Sequence, residues 1–267
     1  MIWNAAGGTV SGSFGSMEYV KFGHGDRALA LLPGLSDGLA TVKGKALALA
    51  WPYRMFFDEF TVYMFSRRDN LPSGYSIRDM ARDQAEAFEK LGISKVSVVG
   101  VSQGGMIAQW LAVDYPSLVE KLVLAVTAPS ANELARASVE RWMGFAEAGK
   151  HKKLMIDTAE NSYSEQYLRK FRKVYPALGF AGKPKDYSRF LANSEAILGF
   201  DATAEVGKIT CPTLIIGGAD DKIVGVAASY ELNTLIPGSE LYVYPEYGHA
   251  AYEEAADFNK RIFEFLK

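Results

Sequence analysis

Cysteine is almost absent from this 267-residue chain: Cys211 stands alone, so no intrachain disulfide can form, which fits a reducing compartment. Histidine is scarce as well. The three histidines are scattered, and with a single cysteine they leave no cluster at metal-ligand spacing. Long apolar runs are also missing, the run at 122–128 being far shorter than the roughly 20 residues a membrane-spanning helix needs. No basic residue precedes Lys21 and no unbroken apolar stretch opens the chain, so residues 1–16 read as a loosely held arm rather than a secretory signal. Nor does one sign of charge dominate. Lys plus Arg (29) nearly balance Asp plus Glu (31), a formal charge of −2 that provides no broad basic footprint for nucleic acid or anionic membrane. The expectation is a cytoplasmic protein acting on a small molecule, with no metal, no cofactor, no nucleic acid and no membrane partner. The sequence carries no signal for oligomeric state.

A hydrophobic share of 49% against 22% charged residues is enough to bury a sizeable core. Short apolar runs ending in glycine or proline predict strands at 28–32, 60–65, 96–99, 122–126, 213–216 and 241–244. Helical patterns lie between them, at 77–91, 106–115, 226–235 and 255–266. Strands alternating with helices predict an α/β fold with a mainly parallel open sheet flanked by helices. From 130 to 208 the rhythm breaks, and four amphipathic helical segments punctuated by Gly149, Pro176, Gly179, Gly182 and Pro184 replace it. The predicted organisation is a core at 1–129, a helical cap insertion at 130–208, and the rest of the core at 209–267.

The segment Gly100-Val101-Ser102-Gln103-Gly104-Gly105 follows a predicted strand and opens a predicted helix. Glycines two residues either side of Ser102 permit a sharp strand-to-helix turn that pushes the hydroxyl out over the end of the sheet. Gly34-Leu35-Ser36-Asp37-Gly38 repeats the spacing, so Ser36 is a rival nucleophile, but its downstream segment starts a helix less cleanly. A serine hydroxyl needs an imidazole base, normally held by a carboxylate. His24 falls in a predicted hairpin turn and His151 in a basic segment expected to be solvated. His249, in Tyr247-Gly248-His249 after the last predicted strand, is the candidate base. For the acid, Asp220 and Asp221 both follow the strand at 213–216, and residue chemistry alone does not separate them.

On the loop Leu32-Pro33-Gly34-Leu35, the Ser102 elbow, the segment from Cys211 to Asp221 and Tyr247-Gly248-His249, in that order, the chain resembles the α/β-hydrolase fold family. The resemblance implies Asp221 as the acid, three residues after Gly218. It also implies an oxyanion hole from the backbone N–H groups of Leu35 and Gln103. A serine at the elbow sets the chain apart from relatives that use aspartate there, the haloalkane dehalogenases and epoxide hydrolases. Two departures stand out: Pro33-Gly34 where many relatives have His-Gly, and Ser66-Arg67-Arg68-Asp69-Asn70 where relatives show aspartate and Arg-Gly-any-Gly. The implied activity is hydrolysis of a small carboxylic ester or lactone through an acyl-enzyme. An acyltransferase with the same triad and a ligand-binding or receptor protein on the same fold are the alternatives. Trp142, Tyr163 and Tyr167 are candidate substrate-binding residues in the cap.

Overall fold

A computed structural model describes residues 2–180 and 182–267. Eight strands among them form one sheet: β1 Ala6–Gly12, β2 Gly15–Gly23, β3 Arg27–Leu32, β4 Phe60–Phe65, β5 Val96–Val101, β6 Val119–Ala125, β7 Thr213–Gly218 and β8 Glu240–Tyr244. Their spatial order is β1-β2-β4-β3-β5-β6-β7-β8. All neighbours from β4 to β8 run parallel, and β1 and β2 join antiparallel at one edge. The helices are α1 Ala46–Ala50, α2 Ile77–Lys90, α3 Gln103–Asp114, α4 Glu133–Glu147, α5 His151–Ser162, α6 Glu165–Phe171, α7 Ser188–Leu198, α8 Val226–Leu235, α9 Ala251–Glu254 and α10 Phe258–Leu266.

Alternation of side chains along each strand divides the core into two layers. Leu29, Leu31, Val99, Val123, Leu214 and Ile216 face one side, packed with Phe56, Phe60 and the apolar face of α10. Ala30, Leu32, Val98, Leu122, Leu124 and Ile215 face the other, against α2 and α3. Burial on both faces is why these strands read as continuous apolar runs instead of alternating ones. Each fully buried Leu, Ile or Phe contributes roughly 1.5–3 kcal/mol. Every residue of α3 from Gln103 to Ala112 is buried, so this helix is buried all round where α2 and α10 are two-faced.

The N-terminal arm departs from the sequence-based expectation. Residues expected to hang loosely form β1 and the start of β2, paired from Ala6 with Lys21 to Gly12 with Gly15. Backbone hydrogen bonds hold this hairpin, and Val10, Phe14 and Met17 anchor it in the core, so its glycines and serines hide the pattern. A second departure concerns His24. It lies in the link between β2 and β3, but β4 separates those strands, so the turn is not a hairpin. Its imidazole is solvated and sits 3.2 Å from the Asp58 carboxylate.

The connection from β6 to β7 carries α4 to α7. It leaves and re-enters the sheet at one point, closed by a bridge between Ser130 and Asp201 and by the bonds Ala131 N–H to Phe200 O (2.9 Å) and Ala202 N–H to Pro129 O (2.8 Å). His151, expected to be solvated with its lysine neighbours, is buried. It shares one face of α5 with Leu154, its ring 6.0 Å from that of Tyr187, while Lys152 and Lys153 point outward. A three-residue spacing on a helix explains the difference.

Candidate active site

Sequential connection runs from β3 outward to β4 on one side, and from β5 outward to β8 on the other. The order therefore reverses between β3 and β5, and the crevice beyond their carboxyl ends is where an open α/β sheet holds ligands. Ser102 follows β5 at that place. Its backbone is forced to φ 54 and ψ −119, a region costly for any residue with a side chain, of order 1–3 kcal/mol. Four bonds hold it there: its N–H donates to Ala125 O (2.9 Å), and its carbonyl accepts from Gly105 N–H (2.9 Å), Met106 N–H (3.2 Å) and the Thr127 hydroxyl (2.8 Å). Gly104 makes the turn possible, since a Cβ on it would lie 1.9 Å from Leu32 O.

The Ser102 hydroxyl faces Nε2 of His249 at 2.9 Å, and Nδ1 of His249 faces Oδ2 of Asp221 at 2.8 Å. The other Asp221 oxygen accepts from the N–H groups of Ile223 (2.8 Å) and Val224 (2.9 Å), which turns the carboxylate inward. Both His249 and Asp221 are buried. Burial disfavours the Asp221 charge, yet the neighbouring His249 and the two backbone N–H groups outweigh it and hold the carboxyl below its ordinary range. Asp220 is exposed and its N–H is bonded to Tyr247 O (3.1 Å), so Asp221 is the carboxylate against the imidazole. The turns after β7 and β8 are pressed together at Gly218, where a Cβ would meet Gly248 O at 2.3 Å.

Gln103 opens α3, and Leu35 opens a short 3-10 turn, Leu35–Gly38, after β3. Both N–H groups precede the first intrahelical hydrogen bond, which leaves them available to an anion. The loop lies against the serine: a Cβ on Gly34 would be 3.4 Å from Cβ of Ser102. Ser36, in the same turn, is exposed, and its carbonyl accepts from Leu39 N–H (3.0 Å); the structure does not bring it to His249.

A cavity of about 220 Å³ opens beside this loop, bounded by Gly34, Ser36, Leu49, Tyr53, Val101 and Tyr252 at the loop end and by Leu31, Phe56 and Ile262 deeper in. Loss of hydration and the nearby Glu253 push the Tyr53 phenol up to about 12, so it stays neutral. None of Trp142, Tyr163 and Tyr167 lines this cavity. Trp142, expected to bind substrate, is buried in the core with its indole N–H on Asp157 (2.8 Å), because its helix face packs inward. Tyr163 donates to Glu253 (2.5 Å), a residue of the cavity rim, and Tyr167 stacks between Tyr163 and Phe171 with centroids 4.3 and 4.1 Å apart. Arg67, to which the sequence alone assigns no role, does not line the cavity but holds the same loop. Its guanidinium is buried beneath the Pro33–Leu35 loop, donating to Pro33 O (2.6 Å) and to Oε1 of Gln103 (2.9 Å).

Among the described residues no three His, Cys, Asp or Glu side chains are placed to share a metal ion, and no helix is long and apolar enough to cross a membrane. A family model for the alpha/beta hydrolase fold matches residues 57–256. The chain is 29% identical over 256 residues to the "Putative carbamate hydrolase RutD" of Stutzerimonas stutzeri (strain A1501), spanning 89% of this chain and 91% of that one. It is 29% identical over 275 residues to the 2-hydroxy-6-oxononadienedioate/2-hydroxy-6-oxononatrienedioate hydrolase of a Pseudomonas species, spanning 94% and 92%. Among solved structures, the α/β hydrolase MGS-M2 from a Medee basin deep-sea metagenome library superposes with a TM-score of 0.83 at 18% identity over 97% of each chain. The family match covers well over half of the sequence, and this chain belongs to the α/β-hydrolase fold family.

Proposed function

We propose that the protein is a serine hydrolase of small carboxylic esters or lactones, working through an acyl-enzyme with Ser102, His249 and Asp221 as its triad. The observation that carries this reading is the 2.9 Å approach of Nε2 of His249 to a hydroxyl held at positive φ. Ser102 attacks the substrate carbonyl carbon while His249 takes the hydroxyl proton. The imidazolium that forms is stabilised by Asp221, and the tetrahedral oxyanion is received by the N–H groups of Leu35 and Gln103. Collapse of the intermediate expels the leaving group, protonated by His249. Water, activated by the same imidazole, then releases the acid and frees Ser102.

The small cavity beside Gly34 adjoins the nucleophile through Val101 and Gly34, with neither Ser102 nor His249 in its lining, and is assigned to a short or single-ring acyl group, being below the roughly 300 Å³ at which drug-sized pockets begin. Helices α4 to α7 are assigned the role of a cap over the site. A carbamate, the substrate named for RutD, presents the same carbonyl to the same attack and belongs in the substrate screen.

The test is release of p-nitrophenolate from p-nitrophenyl acetate and butyrate by the purified chain and by Ser102→Ala, His249→Ala and Ser36→Ala. Turnover lost in the first two variants and kept in the third is the expected result. Turnover that survives in Ser102→Ala overturns the assignment. Product analysis with added alcohols or thiols separates hydrolysis from acyl transfer, and a folded wild type without turnover or burst points to a binding protein.

A further inference from the structure

We propose that Arg67 is a positioning residue that fixes the two oxyanion donors, Leu35 N–H and Gln103 N–H, at their working separation. This rests on the serine-hydrolase reading. The two donors belong to different elements, the loop after β3 and the first turn of α3, and no covalent constraint sets the gap between them. Arg67 spans it. A single terminal nitrogen of its guanidinium donates to Pro33 O (2.6 Å), two residues before Leu35, and to Oε1 of Gln103 itself (2.9 Å).

The clamp is anchored on both sides. Asp37, in the same turn as Leu35, accepts from the backbone N–H of Arg67 (2.9 Å) and lies 3.8 Å from its guanidinium. Asp37 is also paired with Arg189 of α7 (2.7 Å). Nε2 of Gln103 donates to Asn193 O (2.8 Å), again on α7. The oxyanion loop, the nucleophile helix and α7 are therefore joined through one buried polar cluster, in which the side chains of Arg67 and Asp37 are 2% and 1% exposed. Burial draws the Arg67 guanidinium down to about 10 against the opposing pull of Asp37, so it remains charged at neutral pH.

Geometry explains why this matters to rate. Oxyanion donors act only when they sit about 2.7–3.1 Å from the developing charge, and a displacement of about 1 Å costs on the order of 100-fold. Arg67 is bonded to Pro33 and Gln103 rather than to the serine, so it acts through them. Its loss should therefore lower kcat and leave KM nearly untouched.

The experiment measures p-nitrophenyl butyrate kinetics, thermal melting and inhibition by a trifluoromethyl ketone, which forms a tetrahedral oxyanion on a reactive serine. It compares the wild-type chain with Arg67→Met, Arg67→Lys, Gln103→Met and Ser102→Ala. Arg67→Met is expected to lose at least about 30-fold in kcat with KM within about threefold. Its inhibition constant for the ketone should rise by the factor that kcat/KM falls, and Arg67→Lys should recover part of both. A folded Arg67→Met with wild-type kcat and ketone affinity overturns the proposal, as does a change confined to KM. Should Arg67→Met not fold, Gln103→Met decides, since it removes the acceptor but keeps the Arg67–Asp37 pair: a fall in kcat at constant KM supports the clamp, and wild-type kcat overturns it. An active wild type, a dead Ser102→Ala and a fully active Arg67→Met would sink the clamp alone. An inert wild type, or an active Ser102→Ala, would sink the hydrolase reading and the clamp with it.

Discussion

Oγ of Ser102 lies 2.9 Å from Nε2 of His249, although 147 residues separate the two in the chain. The serine is delivered by β5 and the histidine by the turn after β8, with β6 and β7 between them in the sheet. Both side chains reach across the carboxyl ends of those strands. Asp221, at the end of β7, completes the row by holding Nδ1 of the imidazole at 2.8 Å.

Asp221 and its neighbour Asp220 give the first prediction. Asp221→Asn should cut kcat by about 10⁴-fold, because an amide favours the imidazole tautomer that cannot accept the Ser102 proton, whereas Asp220→Asn should change kcat less than about threefold. Steady-state kinetics on p-nitrophenyl butyrate compares the two, and similar losses in both would contradict the geometry.

The second concerns acid stability. Asp221 titrates below its ordinary value of 3.8 in the folded chain, so the unfolded chain binds its proton first. The stabilisation is fully present above 3.8 and is lost as pH falls through the depressed folded value. In urea melts, the stability advantage of wild type over Asp221→Asn should shrink as pH drops below 3.8, whereas an advantage that grows there would refute the linkage.

Two glycines should behave oppositely. Gly104→Ala drives a methyl into Leu32 O and should destabilise by more than about 2 kcal/mol, with loss of activity. Gly144, inside α4, has open space within 4 Å of the point a methyl would occupy, so Gly144→Ala should gain up to about 1 kcal/mol of stability. Denaturant midpoints read both.

How much of this was legible in the sequence depended on which interactions were local. Strands β3 and β5 to β7 announce themselves because both their faces are buried, and Gly104 and Gly218 mark turns whose tightness only glycine allows. The β1–β2 hairpin is silent because pairing of backbone groups leaves no residue pattern in a Gly- and Ser-rich stretch. Residue chemistry leaves Asp221 and Asp220 alike, and beyond the family spacing they are told apart by the inward-facing N–H groups of Ile223 and Val224, which come together once the turn is folded. Arg67 stands in the sequence only as part of Ser-Arg-Arg-Asp-Asn, a departure from the family pattern that carries no role; its burial requires Pro33, Asp37 and Gln103, all distant in sequence. Trp142 shows the converse, since an aromatic at helical spacing looks the same whether it fills a core or lines a pocket.

The cavity beside Gly34 predicts chain-length selection. Leu49 stands on its wall, and Leu49→Trp should reduce kcat/KM for butyrate relative to acetate by about tenfold while sparing acetate. Equal losses on both esters would place the acyl group elsewhere.

The most direct test of the proposed nucleophile is mass spectrometry of the protein after exposure to a fluorophosphonate, which phosphonylates an activated serine. One adduct per chain is expected, located on the peptide that contains Ser102 and absent from Ser102→Ala and His249→Ala. An adduct on Ser36 or any other residue, or one that persists in Ser102→Ala, would contradict the assignment.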